Sequence, residues 1–298
     1  MCGIVGLHLR SEHLYPRLGE LLTAMLCEMG DRGSDSTGVA VYGDPGLSPP
    51  GRGVVSLLDV TDEPDAVAAE VGTRLGGDVD VTTVGATYLL CADASSADLL
   101  GAVRAAYPTA LVAGFGSDMA VLKGVGHPRA LTERWGLSTA RGWQGVGHTR
   151  MATESAVTPA GCHPYTVGPE QCMVHNGSFA NHATIRRQLR LRGVEFDSEN
   201  DTEVGARFIA EQLSDGRDVE SALKELCATF DGFYTLLVSN RDSFAVVRDA
   251  IACKPAVIAE TDDWVAVGSE YRALAGLPGV ANADIWEPEP EVVYAWTR

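Results

Sequence analysis

The chain has little positive charge. Its 298 residues include 23 lysines and arginines against 40 aspartates and glutamates, which gives a formal net charge of −17. Nucleic-acid binding depends on basic surfaces that neutralise phosphates, so this balance argues against a nucleic-acid partner. It argues equally against adsorption to an anionic membrane surface. The acidic residues are spread along the chain, and we expect them to serve mainly solubility.

Long apolar runs are also missing. No stretch reaches the roughly 18 residues that a membrane-spanning helix needs. The first ten residues, MCGIVGLHLR, lack the basic start and the long apolar segment of a secretory signal peptide. The seven cysteines are odd in number and irregular in spacing, which argues against a disulfide framework and for a reducing compartment. These absences together predict a cytoplasmic protein without a membrane partner.

Motifs for the common cofactors are absent as well. Cysteines and histidines do not fall at the short paired spacings of zinc sites, although Cys162-His163 and the 172–175 segment come near. No cysteine spacing suits an iron–sulfur cluster. No glycine-rich loop follows a predicted strand, so no nucleotide or flavin site is indicated. We therefore expect this chain to hold no metal and no cofactor of its own.

Hydrophobic periodicity predicts both helices and strands. Apolar residues recur at helical spacing in 14–29, 202–213 and 219–227. The predicted strands cluster at both ends of the chain with helices between them, which is typical of an α+β protein. Between 54 and 140 the predicted elements follow the order β-α-β-β-α-β, the order of a ferredoxin-like module. The sequence thus predicts one domain over 2–298 with an inserted ferredoxin-like α/β module at 54–140.

Cys2 carries the strongest chemical signal. Removal of the initiating methionine would place it at the N-terminus, where one residue supplies both a thiol and an α-amine. An isolated α-amine titrates at about 7.7–8.0, so it can accept the thiol proton directly or through water. This is the arrangement of an N-terminal nucleophile. Taken alone, a Met-Cys start is more often an accident of translation initiation.

Six short motifs follow one another along residues 2–203. They are CGIVG at 2–6, DRGSDS at 31–36, GHTRMAT at 147–153, HP at 163–164, HNG at 175–177 and DTE at 201–203. In this order the set resembles the class II, or N-terminal cysteine, glutamine amidotransferases. Ser34 stands where the family usually has proline, and Met151 stands where many relatives have tyrosine. Both differences are compatible with the family's chemistry.

The resemblance implies a fold and a set of catalytic residues. The fold is a four-layer αββα sandwich of the N-terminal-nucleophile hydrolases. Cys2 would attack the side-chain amide carbon of glutamine. The Asn176 side-chain amide and the Gly177 backbone N–H would stabilise the oxyanion of the tetrahedral intermediate, which needs preorganised donors. Ammonia would leave, and water would then cleave a γ-glutamyl thioester.

The resemblance also implies how the amino-acid head group is bound. Arg150 would hold the α-carboxylate with help from the Thr153 hydroxyl, and Asp201 would pair with the α-ammonium. Two structural alternatives remain for these residues: Arg150 as a buried ion pair, and Asp201 as the N-cap of the following helix. His148 and His175 are expected to be structural histidines rather than proton shuttles.

Longer strings narrow the resemblance. They are GHTRMATESAVT at 147–158, ENDTEV at 199–204, RDAIACKPAV at 248–257, the segment 259–279 and WEPEP at 286–290. They are similar to stand-alone amidotransferase subunits of glutamate-synthase-like complexes, of the N-methylglutamate synthase (methylamine–glutamate N-methyltransferase) and GlxB type. The resemblance implies glutamine as substrate and separate partner subunits, FMN-binding in that family, that receive the ammonia.

Two competing interpretations remain. The chain could be another N-terminal-cysteine amide hydrolase, such as an acylase, but the pair Arg150 and Asp201 favours an amino-acid substrate. It could instead be a catalytically weak or silent regulatory or scaffolding subunit of the same complex. The presence of Cys2, Asn176 and Gly177 argues against that second interpretation.

Overall fold

A computed structural model describes residues 2–152 and 157–298. Within these ranges the α-helices are Leu18–Glu28 (α1), Pro64–Leu75 (α2), Ser96–Ala106 (α3), Pro128–Arg134 (α4), His182–Leu191 (α5), Asp201–Ser214 (α6) and Val219–Thr229 (α7). The strands are Gly3–Leu9 (β1), Ser36–Tyr42 (β2), Gly53–Leu58 (β3), Val79–Val84 (β4), Thr87–Ala92 (β5), Leu111–Gly116 (β6), Met119–Val125 (β7), Gln144–Arg150 (β8), Cys172–Phe179 (β9), Gly232–Ser239 (β10), Ser243–Arg248 (β11), Val257–Glu260 (β12), Trp264–Gly268 (β13), Asp284–Trp286 (β14) and Tyr294–Thr297 (β15). Short 3₁₀-helices lie at Glu12–Arg17, Leu137–Thr139, Pro159–Gly161, Tyr271–Ala273 and Val280–Asn282.

The described strands pair in three antiparallel sheets. The first has the order β14-β12-β13-β1-β8-β2-β7, the second β15-β11-β10-β9, and the third β4-β5-β3-β6. Strand β1 occupies an interior position in the first sheet, between β13 and β8. Cys2 precedes this interior strand directly, so the surrounding sheet fixes the backbone next to the predicted nucleophile.

The first two sheets pack face to face, and helices cover their outer faces. The buried side chains between the sheets include Ile4, Val146 and Leu237. Alternate residues of β1, such as Val5 and Leu7, pack with α1 on the other face. Helices α5, α6 and α7 pack on the outer face of the second sheet. The described chain therefore has helix, sheet, sheet and helix layers, which is the α+β arrangement implied by the sequence resemblance.

Gly6 permits the close approach of the two sheets. A Cβ atom at this position would lie 2.5 Å from the Leu237 Cδ2 atom and 2.8 Å from the Phe244 ring. Both neighbours belong to the second sheet, on β10 and β11. Glycine is needed here because there is no space for a side chain, and a residue with a Cβ would force the sheets apart.

The third sheet is built from a continuous stretch of chain. Its elements follow the order β3-α2-β4-β5-α3-β6, and it has its own core, which includes Val55, Leu90 and Leu99. Strand β7, by contrast, pairs with β2 from Ser36↔Val125 to Tyr42↔Met119 in the first sheet. The predicted insertion at 54–140 therefore extends further along the chain than the third sheet does.

The helix predicted at 14–29 is divided in the structure. A 3₁₀-helix at Glu12–Arg17 contains Pro16, and α1 begins only at Leu18. Proline has no backbone N–H and disfavours an α-helical conformation in the residue before it, so the regular helix begins after it. The apolar periodicity spans both segments because Leu14 and Leu18 enter the same core.

None of the helices in the described ranges is long and apolar enough to cross a membrane.

Candidate active site

Cys2 is half-buried, and its backbone is held from two directions. Its carbonyl oxygen accepts a hydrogen bond from Arg32 Nε at 2.9 Å and another from Asn176 Nδ2 at 3.2 Å. Its Sγ atom lies 3.8 Å from the Met151 carbonyl oxygen. Residues from three separate sequence motifs thus meet at the predicted nucleophile.

Asn176 and Gly177 lie on β9 and pair with Thr235 and Tyr234 of β10. The Asn176 side chain is buried and donates to the Cys2 carbonyl oxygen through one of the two N–H groups of its amide. Gly177 has a φ of +139°, and a Cβ there would lie 2.0 Å from the Phe233 carbonyl oxygen. Glycine is therefore needed at 177 for both conformation and space. Of the two predicted oxyanion donors, Asn176 contacts Cys2, and Gly177 is the next residue along the strand.

Arg150 ends β8 and is only 7% exposed. Its backbone is braced by the 31–36 motif: the Asp35 N–H donates to the Arg150 carbonyl oxygen at 3.0 Å. The Asp35 carboxylate also accepts from the Ala152 N–H at 2.8 Å. Since Cys2 Sγ contacts the carbonyl oxygen of the next residue, Met151, the predicted carboxylate-binding arginine lies beside the nucleophile. Thr153, its predicted helper, lies outside the described residues.

Asp201 is the first residue of α6, and its carboxylate contacts β9. Its Oδ2 atom accepts from the Phe179 N–H at 2.9 Å. The N-cap of α6 is Asn200, whose side chain accepts from the Thr202 N–H at 2.9 Å. The capping role considered for Asp201 therefore belongs to its neighbour. Strand β9 therefore connects Cys2 and Asp201. Its Asn176 contacts Cys2, and its Phe179, three residues further on, contacts the Asp201 carboxylate.

Three buried histidines form a network beneath this site. The Thr202 hydroxyl lies 3.0 Å from His163 Nε2 and 2.9 Å from His175 Nδ1. His148 Nε2 lies 3.2 Å from the His175 carbonyl oxygen, and its ring stacks on His163 with centroids 4.1 Å apart. Burial lowers the pKa of His148 to about 3, and it also lowers the pKa of His163 and His175. Neutral, packed rings at physiological pH favour a structural role.

Sequence reasoning assigned no role to Arg32, Ser269 or Glu270. Arg32 Nη1 donates to Glu270 Oε1 at 2.5 Å, and the Ile4 N–H donates to Ser269 Oγ at 2.9 Å. Arg32 does occur in the 31–36 motif, and a buried arginine requires an acidic or carbonyl partner. The sequence therefore suggests that Arg32 has such a partner. It does not indicate which distant residue the partner is.

The described residues contain no group of three or more His, Cys, Asp or Glu side chains placed to hold a metal ion. Cys162, one of the cysteines near a histidine in sequence, has its thiol 3.2 Å from the Thr158 carbonyl oxygen. Burial raises the pKa of this thiol, which disfavours the thiolate that a metal would need.

Comparisons with known proteins agree with the site. A family profile described as a glutamine amidotransferase domain matches residues 148–276. Together with a full-length relative, this match identifies the class: the chain belongs to the class II glutamine amidotransferases. It is 44% identical to the glutamine amidotransferase-like protein GlxB of Rhizobium meliloti, over 99% of this chain and 98% of that one.

Two further proteins are similar to this chain, one in sequence and one in fold. A putative glutamine amidotransferase of Methanothermobacter thermautotrophicus is 26% identical over 99% of each chain. The solved structure of glutamine phosphoribosylpyrophosphate amidotransferase from B. subtilis superposes with a TM-score of 0.61 at 17% identity, covering 99% of this chain. This chain spans only 49% of that longer structure, so the likeness concerns the fold of one part of it.

Proposed function

We propose that this chain hydrolyses the side-chain amide of glutamine through a γ-glutamyl thioester on Cys2 and supplies the ammonia to a separate acceptor-bearing subunit. The observation that carries the proposal is the 3.2 Å contact between Asn176 Nδ2 and the Cys2 carbonyl oxygen. This contact supports the proposal because it joins the expected oxyanion donor to the expected nucleophile. Membership of the class II amidotransferases supplies the reaction type.

The chemistry proceeds in two steps. Once Met1 is removed, the α-amine of Cys2 takes the thiol proton, and the sulfur attacks the amide carbon. The second N–H of Asn176 and the Gly177 N–H donate to the developing oxyanion. On collapse the C–N bond breaks, and the α-ammonium returns its proton to the departing ammonia. Water, deprotonated by the same amine, then attacks the thioester carbon and releases glutamate and the thiol.

Recognition of glutamine uses two opposite charges. Arg150 is proposed to bind the α-carboxylate together with Thr153, and Asp201 to bind the α-ammonium. Support comes from their positions: Arg150 is next to the residue whose carbonyl oxygen faces Cys2 Sγ, and Asp201 is attached to the end of β9 at Phe179. An acyl amide without an amino-acid head group offers no carboxylate to Arg150 and no ammonium to Asp201, which favours glutamine over an acylase substrate.

We infer further that the acceptor subunits are glutamate-synthase-like and that FMN is bound by a partner, while this chain needs no cofactor. The full-length similarity to GlxB and the motifs at 248–257 and 286–290 support an N-methylglutamate-synthase-like complex. We also propose that 53–116 forms a ferredoxin-like module, because the third sheet places its first strand between the third and the fourth. Such a module is suited to docking or ligand sensing.

The direct test measures glutamate release from L-glutamine by wild type and by Cys2→Ala, alone and with candidate partner subunits. The proposal predicts release by wild type, stimulated by the correct partner, and none by the variant. L-Asparagine, one methylene shorter, is the matched control and should be a poor substrate because its amide carbon falls short of Sγ when the head group is held. Equal glutamate release by Cys2→Ala would refute the mechanism.

A further inference from the structure

An ion pair between a buried arginine and a partly exposed glutamate lies next to the nucleophile. The Arg32 side chain is only 6% exposed, and its guanidinium bridges two groups. Its Nε donates to the Cys2 carbonyl oxygen at 2.9 Å, and its Nη1 donates to Glu270 Oε1 at 2.5 Å. Because the guanidinium is planar and rigid, a carboxylate that fixes one of its nitrogens also fixes the direction of the others.

Glu270 is itself held relative to β1. Its neighbour Ser269 accepts the Ile4 N–H on its hydroxyl at 2.9 Å, and the Ser269 N–H donates to the Ile4 carbonyl oxygen at 2.9 Å. The other carboxylate oxygen of Glu270 forms an ion pair with Arg272, with 2.9 Å between Oε2 and Nε. The Arg32 guanidinium lowers the pKa of Glu270, so this carboxylate is ionised at neutral pH. The segment after β13 therefore fixes both the strand after Cys2 and the arginine that holds Cys2.

This arrangement separates two tasks at the site. Asn176 contacts the Cys2 carbonyl oxygen and is also the proposed oxyanion donor. If Asn176 alone held Cys2, any shift of its amide towards the oxyanion would release the nucleophile. Arg32 donates to the same carbonyl oxygen, so Cys2 has a second anchor that is not one of the proposed oxyanion donors. Placement errors of about 1 Å at a nucleophile can cost about 100-fold in rate.

We propose that Glu270 is a positioning residue for the amidotransferase reaction: it orients Arg32, and Arg32 fixes the carbonyl group of Cys2. Glu270 contacts Arg32 and Arg272, neither of which is a proposed glutamine ligand, and 36% of its side chain is exposed. It acts on the rate of the chemical step and leaves glutamine affinity unchanged. This inference rests on the proposed function, because it concerns the same nucleophile.

The test uses a glutamine-analogue diazo-ketone and four proteins: wild type, Glu270→Gln, Arg32→Met and the double variant. The maximal rate of Cys2 labelling, the half-saturating analogue concentration and the final labelled fraction are measured by intact mass. Glu270→Gln should slow the maximal rate by about tenfold or more, with half-saturation within about twofold and complete final labelling. Incomplete labelling would instead indicate partly unfolded protein, a structural effect that contradicts the proposal.

The double variant tests whether Glu270 acts through Arg32. If it does, adding Glu270→Gln to Arg32→Met slows labelling no further. Arg32→Lys, which keeps the charge but lacks the fork, replaces Arg32→Met should the latter not fold. Arg272→Ala is the matched control: it removes the outer partner of Glu270 and should leave the labelling rate within about twofold of wild type.

The outcomes separate the two proposals. Two results would overturn the role of Glu270 while leaving the proposed function intact. In the first, Glu270→Gln is labelled as fast as wild type. In the second, the double variant is slowed by the product of the two single effects. A wild type that takes no label on Cys2, with or without partner subunits, would overturn the proposed function and this inference together.

Discussion

Gly177→Ala is the substitution whose effect follows most directly from the structure. The residue has a φ of +139°, and the added Cβ would lie 2.0 Å from the Phe233 carbonyl oxygen and 2.8 Å from the Tyr234 Cα atom. Both neighbours are backbone atoms of β10, so they cannot rotate away as a flexible side chain would. The strands β9 and β10 must separate locally to accept the methyl group.

The expected cost combines two contributions. Unfavourable φ at a non-glycine residue costs about 1–3 kcal/mol, and overpacking of a buried site costs about 1–3 kcal/mol. We therefore expect the free energy of unfolding to fall by about 2–6 kcal/mol. At about 2.1 cal/mol/K of unfolding entropy per residue, 298 residues give about 1.6 °C per kcal/mol, so the Tm should fall by about 3–10 °C. Displacement of the Gly177 N–H should also reduce kcat by about 100-fold or more, as loss of one oxyanion donor does.

The matched control is Gly216→Ala. Gly216 also has positive φ, +85°, but a Cβ there would meet no atom within 4 Å. It therefore isolates the conformational cost, about 1 kcal/mol, from the clash. Thermal unfolding of both variants and glutaminase assays with L-glutamine provide the comparison. If Gly177→Ala had the same kcat and Tm as wild type, the reasoning about the β9–β10 contact would be refuted.

Two further predictions concern binding and pH. Asp201→Ala should raise the KM for L-glutamine by about tenfold or more, because a charged hydrogen bond contributes about 1.5–3 kcal/mol. An unchanged KM in steady-state assays would mean that Asp201 has a structural role, such as its contact with the Phe179 N–H. The free energy of unfolding should fall as pH drops from 6.5 towards 3, because burial lowers the pKa of His148 to about 3 and the unfolded chain binds the extra proton in that window. Urea unfolding at pH 7 and pH 5 measures this change in the free energy of unfolding. The change should be smaller in His148→Gln than in wild type. An equal change in both proteins would contradict the attribution to His148.

The layers of the fold follow from local pattern. Apolar periodicity located α1 and α6 within a few residues, because this signal is contained in short stretches of chain. Pro16 shortened one helix, and β7 joined β2 rather than the third sheet. Strand partners depend on packing between distant segments, which periodicity does not encode.

The candidate site also has a part that the sequence indicates and a part that only the folded chain shows. Cys2, Asn176 and Gly177 were indicated by short motifs, and the structure places Asn176 in contact with Cys2. The pairing of Arg32 with Glu270 joins residues 238 positions apart, and 40 acidic residues were available as partners. Only the folded chain selects among them. The exchange of the capping role from Asp201 to Asn200 is a smaller case, because both residue types are good N-caps and adjacent in sequence.

The central claim is that Cys2, after loss of Met1, is the nucleophile of a glutamine site. Intact mass before and after treatment with a glutamine-analogue diazo-ketone tests it most directly, with Cys2→Ala as the control and L-glutamine as the protecting ligand. The account predicts a chain that lacks Met1, gains one adduct mapped to Cys2, and is protected by L-glutamine. Retention of Met1, or an adduct that forms equally well on Cys2→Ala, would contradict it.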